Sequence, residues 1–196
     1  MFQFILRALL SISMFAFSLS VYAQSVQVFG GSTSARNCYM AATIAAQMQI
    51  GTREDIKECT YALEKTSLPF RDRLATYINR GIIYVAKGEF DAAIRDYDRA
   101  YRMDPDVAEL HVSRGNMFYM GERYDQAVDE YSRALELEFN KQHVAYYNRG
   151  MAWEKLGELD KAEADYRKSI ELSPDWYPPQ NKLQRMLTRL ARQDNT

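Results

Sequence analysis

Three times along this 196-residue chain, the same small set of residues returns in one register. Asn79-Arg80-Gly81, Ser113-Arg114-Gly115 and Asn148-Arg149-Gly150 stand 34 and 35 residues apart. Twelve residues after each glycine comes an alanine (Ala93, Ala127, Ala162) and four further a tyrosine (Tyr97, Tyr131, Tyr166). Three more bring Ala100, Ala134 and Ser169. A period of this length marks a supersecondary unit that cannot bury its apolar face alone and must stack on its neighbours.

The spacing inside each unit is helical. Tyr77, His111 and Tyr146 lie four residues before the glycine, and Tyr84, Phe118 and Trp153 three after it, which puts them on one helix face. After Gly88, Gly121 or Gly157 a second stripe follows: Phe90, Ala93, Tyr97 and Ala100, then Tyr124, Ala127, Tyr131 and Ala134. Each unit reads as two amphipathic helices joined by a glycine turn. A glycine inside a helix costs about 1 kcal/mol relative to alanine, so its return at one register calls for a packing reason. Folding the hairpin sets Gly81 opposite Ala93, Gly115 opposite Ala127 and Gly150 opposite Ala162. Small against small brings the backbones together, with aromatics in the adjacent gaps. The same folding places Arg80 near Asp96, Arg114 near Glu130 and Arg149 near Asp165, which predicts ion pairs clipping each hairpin. If exposed, each contributes only about 0–1 kcal/mol.

The pattern resembles the tetratricopeptide repeat (TPR) family over residues 74–174. It departs from that family at Phe139, where proline is usual, at one extra residue before the third unit, at the arginine preceding each glycine, and at Ser169. The resemblance implies an all-α fold, a right-handed superhelical α-solenoid with units at 74–107, 108–142 and 143–176. It also implies a concave groove lined by the first helices that binds peptides or protein segments. Carried onto this chain, the groove positions are Ile78, Asn79, Ile82 and Val85 in the first unit. The second supplies Glu109, Val112, Asn116, Tyr119 and Met120, and the third Tyr147, Asn148, Met151, Glu154 and Lys155. Their apolar side chains suit the side chains of an extended peptide, and Asn79, Asn116 and Asn148 its backbone. The alternative for Ile78 and Ile82 is packing against the preceding hairpin. The basic cluster with which some relatives clamp a C-terminal carboxylate is missing, Lys155 alone being no substitute.

Both ends of the array need covers. Residues 177–196 form a capping helix and tail. The helix starts at Pro178-Pro179, with Leu183, Met186, Leu187 and Leu190 inward and the basic Lys182, Arg185, Arg189 and Arg192 solvating it. Residues 34–66 read as a degenerate fourth hairpin turning near Gly51, with Cys59 and Ala62 in the slots of Tyr97 and Ala100. Cys38 and Cys59 lie about equally far either side of that turn and suit a structural disulfide, free buried thiols being the alternative. With His111 and His143 far off in sequence, no metal site is expected.

Residues 1–23 carry one charge, Arg7, and end in Val21-Tyr22-Ala23, which fits an export signal cleaved before Gln24. An uncleaved anchor is the alternative. Residues 24–33, rich in Gly, Ser and Thr, read as a flexible linker. The near balance of 25 Lys+Arg against 26 Asp+Glu argues against nucleic acid as partner. No phosphate loop, nucleophile elbow or zinc spacing is present, so no cofactor and no enzymatic activity are expected. The functional expectation is an exported scaffold, periplasmic or extracellular, that binds another protein or peptide. The alternative is a module for envelope polysaccharide or a small ligand, with Tyr119, Tyr147 and Trp153 stacking on sugar rings.

Overall fold

The structure, a computed structural model, describes residues 25–28 and 32–193; the proposed signal segment lies outside them. Among the described residues there are nine helices and no strand. They are α1 (Thr33–Met48), α2 (Arg53–Lys65), α3 (Phe70–Ala86), α4 (Phe90–Met103), α5 (Ala108–Met120), α6 (Tyr124–Glu136), α7 (Gln142–Leu156), α8 (Leu159–Leu172) and α9 (Pro178–Gln193). Consecutive pairs make four antiparallel hairpins that stack in order, with α9 against α8 at the end. No helix among the described residues is long and apolar enough to cross a membrane.

The three repeated hairpins hold together through one recurring contact, which differs from the small-against-small expectation. The alanines are fully buried, but the notch left by each glycine is filled by the tyrosine four residues beyond the alanine. A Cβ on Gly115 would come within 2.6 Å of Tyr131 Cε1, and one on Gly150 within 2.9 Å of the Tyr166 ring. At Gly81 it would collide with Tyr97. In the third unit the Ala162 carbonyl oxygen also lines the notch, at 3.3 Å. The missing side chain makes room for a flat ring, and Tyr97, Tyr131 and Tyr166 are almost completely enclosed. That burial pushes all three phenols well above their ordinary pKa.

The turns follow glycine chemistry with one exception. Gly88 (φ 75°) and Gly157 (φ 82°) adopt the left-handed conformation that closes a helix. In the second unit Gly121 stays at φ −83°, and Glu122 takes the positive φ, 59°. Just before the inserted residue, Glu138 is left-handed at φ 53°, and Phe139, 1% exposed, fills the joint between units two and three against Ala108, Val112, Val144 and Ala145.

Side-chain caps appear where the repeat signature is missing. Helices α3 to α8 have no side-chain N-cap bond. By contrast Ser32 caps α1, and Thr52 with Asp55 forms a capping box on α2. This hairpin also carries the expected disulfide: Cys38 and Cys59 are bonded, 21 residues apart and fully buried. Closing such a loop is worth about 3 kcal/mol in the chain-entropy model. Reduction, or replacing both cysteines by alanine, is therefore expected to destabilise the N-terminal hairpin by about that amount. Amide hydrogen exchange would show faster opening of α1 and α2 with little change in α7 and α8; uniform or absent change would contradict it.

Candidate functional site: the inner face of the array

The first helix of each hairpin contributes one face to the inside of the curve, and most of the predicted groove residues lie there under cover. Ile78, Asn79, Ile82, Val85, Val112, Asn116, Tyr119, Tyr147, Asn148 and Met151 are all buried. Glu109, Met120 and Glu154 are half-buried, and only Lys155 is exposed. The groove as expected from the resemblance is thus narrower than its residue roll, because these side chains pack one unit on the next. Ile78 and Ile82 join Cys38, Ala42, Ala45 and Ala46 of the preceding hairpin in one core, the packing alternative raised for them.

The asparagines divide sharply. Asn148 Nδ2 donates to Asn116 Oδ1 at 3.0 Å, and the Tyr131 hydroxyl donates to the same oxygen at 2.7 Å. These two asparagines form a buried bridge between units two and three, so that carboxamide oxygen is already doubly engaged inside the protein. Asn79 instead turns its carboxamide to the backbone of the chain's own N-terminal segment. Its Oδ1 accepts from the Val26 N–H at 2.8 Å and its Nδ2 donates to the Val26 carbonyl at 2.7 Å. One carboxamide thereby satisfies both backbone groups of an extended residue, as a neighbouring β-strand would. Residues 25–28, within the expected flexible linker, are docked instead. Val28 is buried among Ala35, Ala62, Leu68 and Ala75, Gln27 faces solvent, and Ser25 Oγ shares a 2.7 Å hydrogen bond with Thr43 Oγ1.

Beyond that segment the inner face holds a small pocket of about 10 Å³, room for about one water, lined by Ala46, Gln49, Ile82, Val85, Asn116 and Met120, among others. Gln49 Oε1 is buried there and finds no hydrogen-bond partner among the described residues. Toward the C-terminus, Glu154 is occupied by the cap: Lys182 Nζ lies at 3.7 Å, Arg189 at 3.3 Å, and the Tyr166 hydroxyl donates to it at 2.9 Å. Part of the basic face of α9, expected only to solvate, is thus a charge partner of the inner face. Inside α9, Leu183 and Met186 are buried as expected, whereas Leu187 is 38% exposed. The aromatic rings proposed for sugar stacking are engaged. Tyr119 meets Tyr124 edge-on, Tyr147 packs on Trp176 and Tyr166, and Lys161 sits 4.5 Å over Trp153.

The arginine clips form as predicted, and all three are better enclosed than a surface pair, Arg80–Asp96 most of all. Arg80 binds Asp96 through two parallel bonds, Nε to Oδ2 at 2.6 Å and Nη2 to Oδ1 at 2.8 Å, and Arg149 holds Asp165 likewise. Arg114 Nε reaches Glu130 at 2.9 Å, and Glu130 also faces the buried His111 at 2.7 Å. Among the described residues no group of three or more His, Cys, Asp or Glu is placed to hold a metal ion.

Comparison with known proteins decides the family. Residues 78–142 and 143–175, together half of the chain, match tetratricopeptide repeat profiles. The chain belongs to the tetratricopeptide repeat family. The TPR array superposes on a thermophilic TPR protein of Thermus thermophilus with a TM-score of 0.67, 21% identity, 80% of this chain and 82% of that one. MamA gives 0.60 at 23% identity, covering 71% of this chain and 79% of that one. The first TPR domain of Spaghetti (RPAP3), solved bound to the HSP90 peptide SRMEEVD, gives 0.56 at 26% identity, with 60% of this chain and 93% of that one. No curated protein matches this TPR chain in sequence at a significant level.

Proposed function

We propose that this TPR array is a non-enzymatic scaffold that binds an extended segment of another protein on its inner face. One observation carries the reading: the Asn79 carboxamide holds both the N–H and the carbonyl of Val26, so this face already grips a short non-helical segment of backbone. The 26% identical RPAP3 domain bound to an HSP90 peptide supports the same use of the fold. The acidic tail of that peptide meets no basic cluster on the described inner face, where Lys182 and Arg189 are engaged with Glu154 and Lys155 is offset by Glu109. An uncharged segment fits better.

Panning displayed random peptides against the full chain tests this. Enriched segments should lose at least tenfold in affinity when Met120→Asp and Lys155→Glu are introduced together, with helix content unchanged. Enrichment of nothing, or binding indifferent to these changes, would sink the reading.

We further propose export to an oxidising compartment, with the periplasm favoured. The apolar residues 8–23, ending in Val21-Tyr22-Ala23, and the buried disulfide support it. Mass spectrometry of the cellular protein is expected to find Gln24 at its start; an intact Met1 with two alkylatable thiols would refute it.

A further inference from the structure

Residues 25–28 do more than cover the end of the array. Val28 sits by Ala75 and Ala35, Val26 by Asn79, and Ser25 by Thr43, so this strand runs antiparallel to both α1 and α3. Its pattern is that of a bound peptide: Val28 buried, Gln27 exposed, Val26 half-buried. A bound segment continuing past the Ser25 position heads toward Ile82, Val85 and Gln49, the lining of the small pocket on the inner face.

We propose that residues 25–28 are an internal occupant of the peptide site on α3 and that a partner segment binds by exchanging with them. This rests on the scaffold reading and specifies its ligand: an extended, uncharged stretch with β-branched or other aliphatic side chains at alternate positions. Its backbone pairs with Asn79, and its further residues on the N-terminal side run along the rim of the pocket, where the Gln49 Oε1 acceptor can receive an N–H. The tethered segment competes at an effective concentration on the order of millimolar, which holds apparent affinity down until a longer segment, gaining contacts with Ile82, Val85 and Gln49 as well, displaces it.

The test uses a fluorescein-labelled peptide with the sequence of residues 24–30 and the full chain. In Val26→Pro/Val28→Asp the internal strand loses the N–H that Asn79 accepts and gains a charge at a buried site. Peptide binding by fluorescence anisotropy is expected to be at least tenfold tighter to this variant than to the unaltered chain. Adding Asn79→Asp should abolish the gain. A Gln27→Ala peptide should bind equally and a Val26→Asp peptide should not. Should the double variant fold poorly, the unaltered chain still answers: excess peptide is expected to remove hydrogen-exchange protection from its own Val26 amide. Equal affinity for both chains, no binding to a folded variant, or a Val26 amide unmoved by saturating peptide would each overturn the exchange. Panned segments that bind the inner face but are indifferent to ejecting the strand would overturn it while leaving the scaffold reading intact.

Discussion

Replacing Arg80 by alanine is expected to destabilise the protein by about 3–5 kcal/mol, the range for stripping one partner from a buried ion pair. The guanidinium joins three helices: it holds Asp96 of α4 at two points, donates to Thr60 Oγ1 of α2 at 2.8 Å, and lies 5.9 Å from the rings of both Tyr77 and Tyr84. Burial works against its charge, yet the bonds to Asp96, that carboxylate's charge, and smaller contributions from Tyr84 and Tyr77 leave its pKa raised. Without it, Asp96, whose side chain is 3% exposed, is left with Arg99 at 3.6 Å, a 51% exposed side chain that is a weak substitute for the two-point bond. Against a typical domain stability of roughly 5–15 kcal/mol, this is a large fraction. Thermal denaturation should fall by roughly 10 °C for a chain of this size. Replacing the pair together, Arg80→Met with Asp96→Leu, should recover most of the loss, since no buried charge is then left alone. Arg114→Ala should cost less, because its side chain is 20% exposed and His111 remains beside Glu130. A loss below about 1 kcal/mol for Arg80→Ala would show that the pair is not the clip described.

The second large effect concerns the ring in the notch, where a sign reversal is the diagnostic. Tyr131→Ala should cost about 4 kcal/mol, as for other large aromatic truncations in a core, and it also takes the hydroxyl donor from Asn116. Gly115→Ala alone should cost about 2 kcal/mol net. A Cβ 2.6 Å from the ring forces an enclosed side chain to move, and the overpacking penalty exceeds the helix propensity gained. In the Tyr131→Ala background the ring is absent, and the same Gly115→Ala should stabilise by up to about 1 kcal/mol. Urea denaturation of the four proteins measures the cycle. A Gly115→Ala effect of the same sign in both backgrounds would mean that something other than the ring demands the glycine.

These two cases show which information a single sequence carries. Arg80 with Asp96 and Arg149 with Asp165 were readable because both members recur at a fixed distance, so folding the hairpin matches them without any three-dimensional detail. The glycines were readable as a packing demand, but not what they accommodate. Alanine and tyrosine lie four residues apart on one helix face, and only side-chain direction decides between them. The inner face was readable as a set of positions, but its occupancy was not. Ten of its fourteen residues are buried by neighbouring units, by residues 25–28 or by one another. The Val26–Asn79 pair spans 53 residues, and its upstream member lies in a stretch without period. Nothing local in Lys182 or Arg189 announces Glu154 either, since that contact depends on how the last helix closes the stack. The cysteines were readable because a two-helix turn places them at matching height, a purely local argument.

The chain's two tryptophans, Trp153 and Trp176, both lie at its far end, one beneath Lys161 and the other wedged between His143 and Tyr147. Intrinsic indole emission therefore watches only the last hairpin and its junction with the cap. Opening at the opposite terminus, where the cystine and the tethered strand reside, would pass unseen by that signal. A melt followed by both emission and far-ultraviolet ellipticity should give two curves, and their separation measures how far the array loosens from one side before the other.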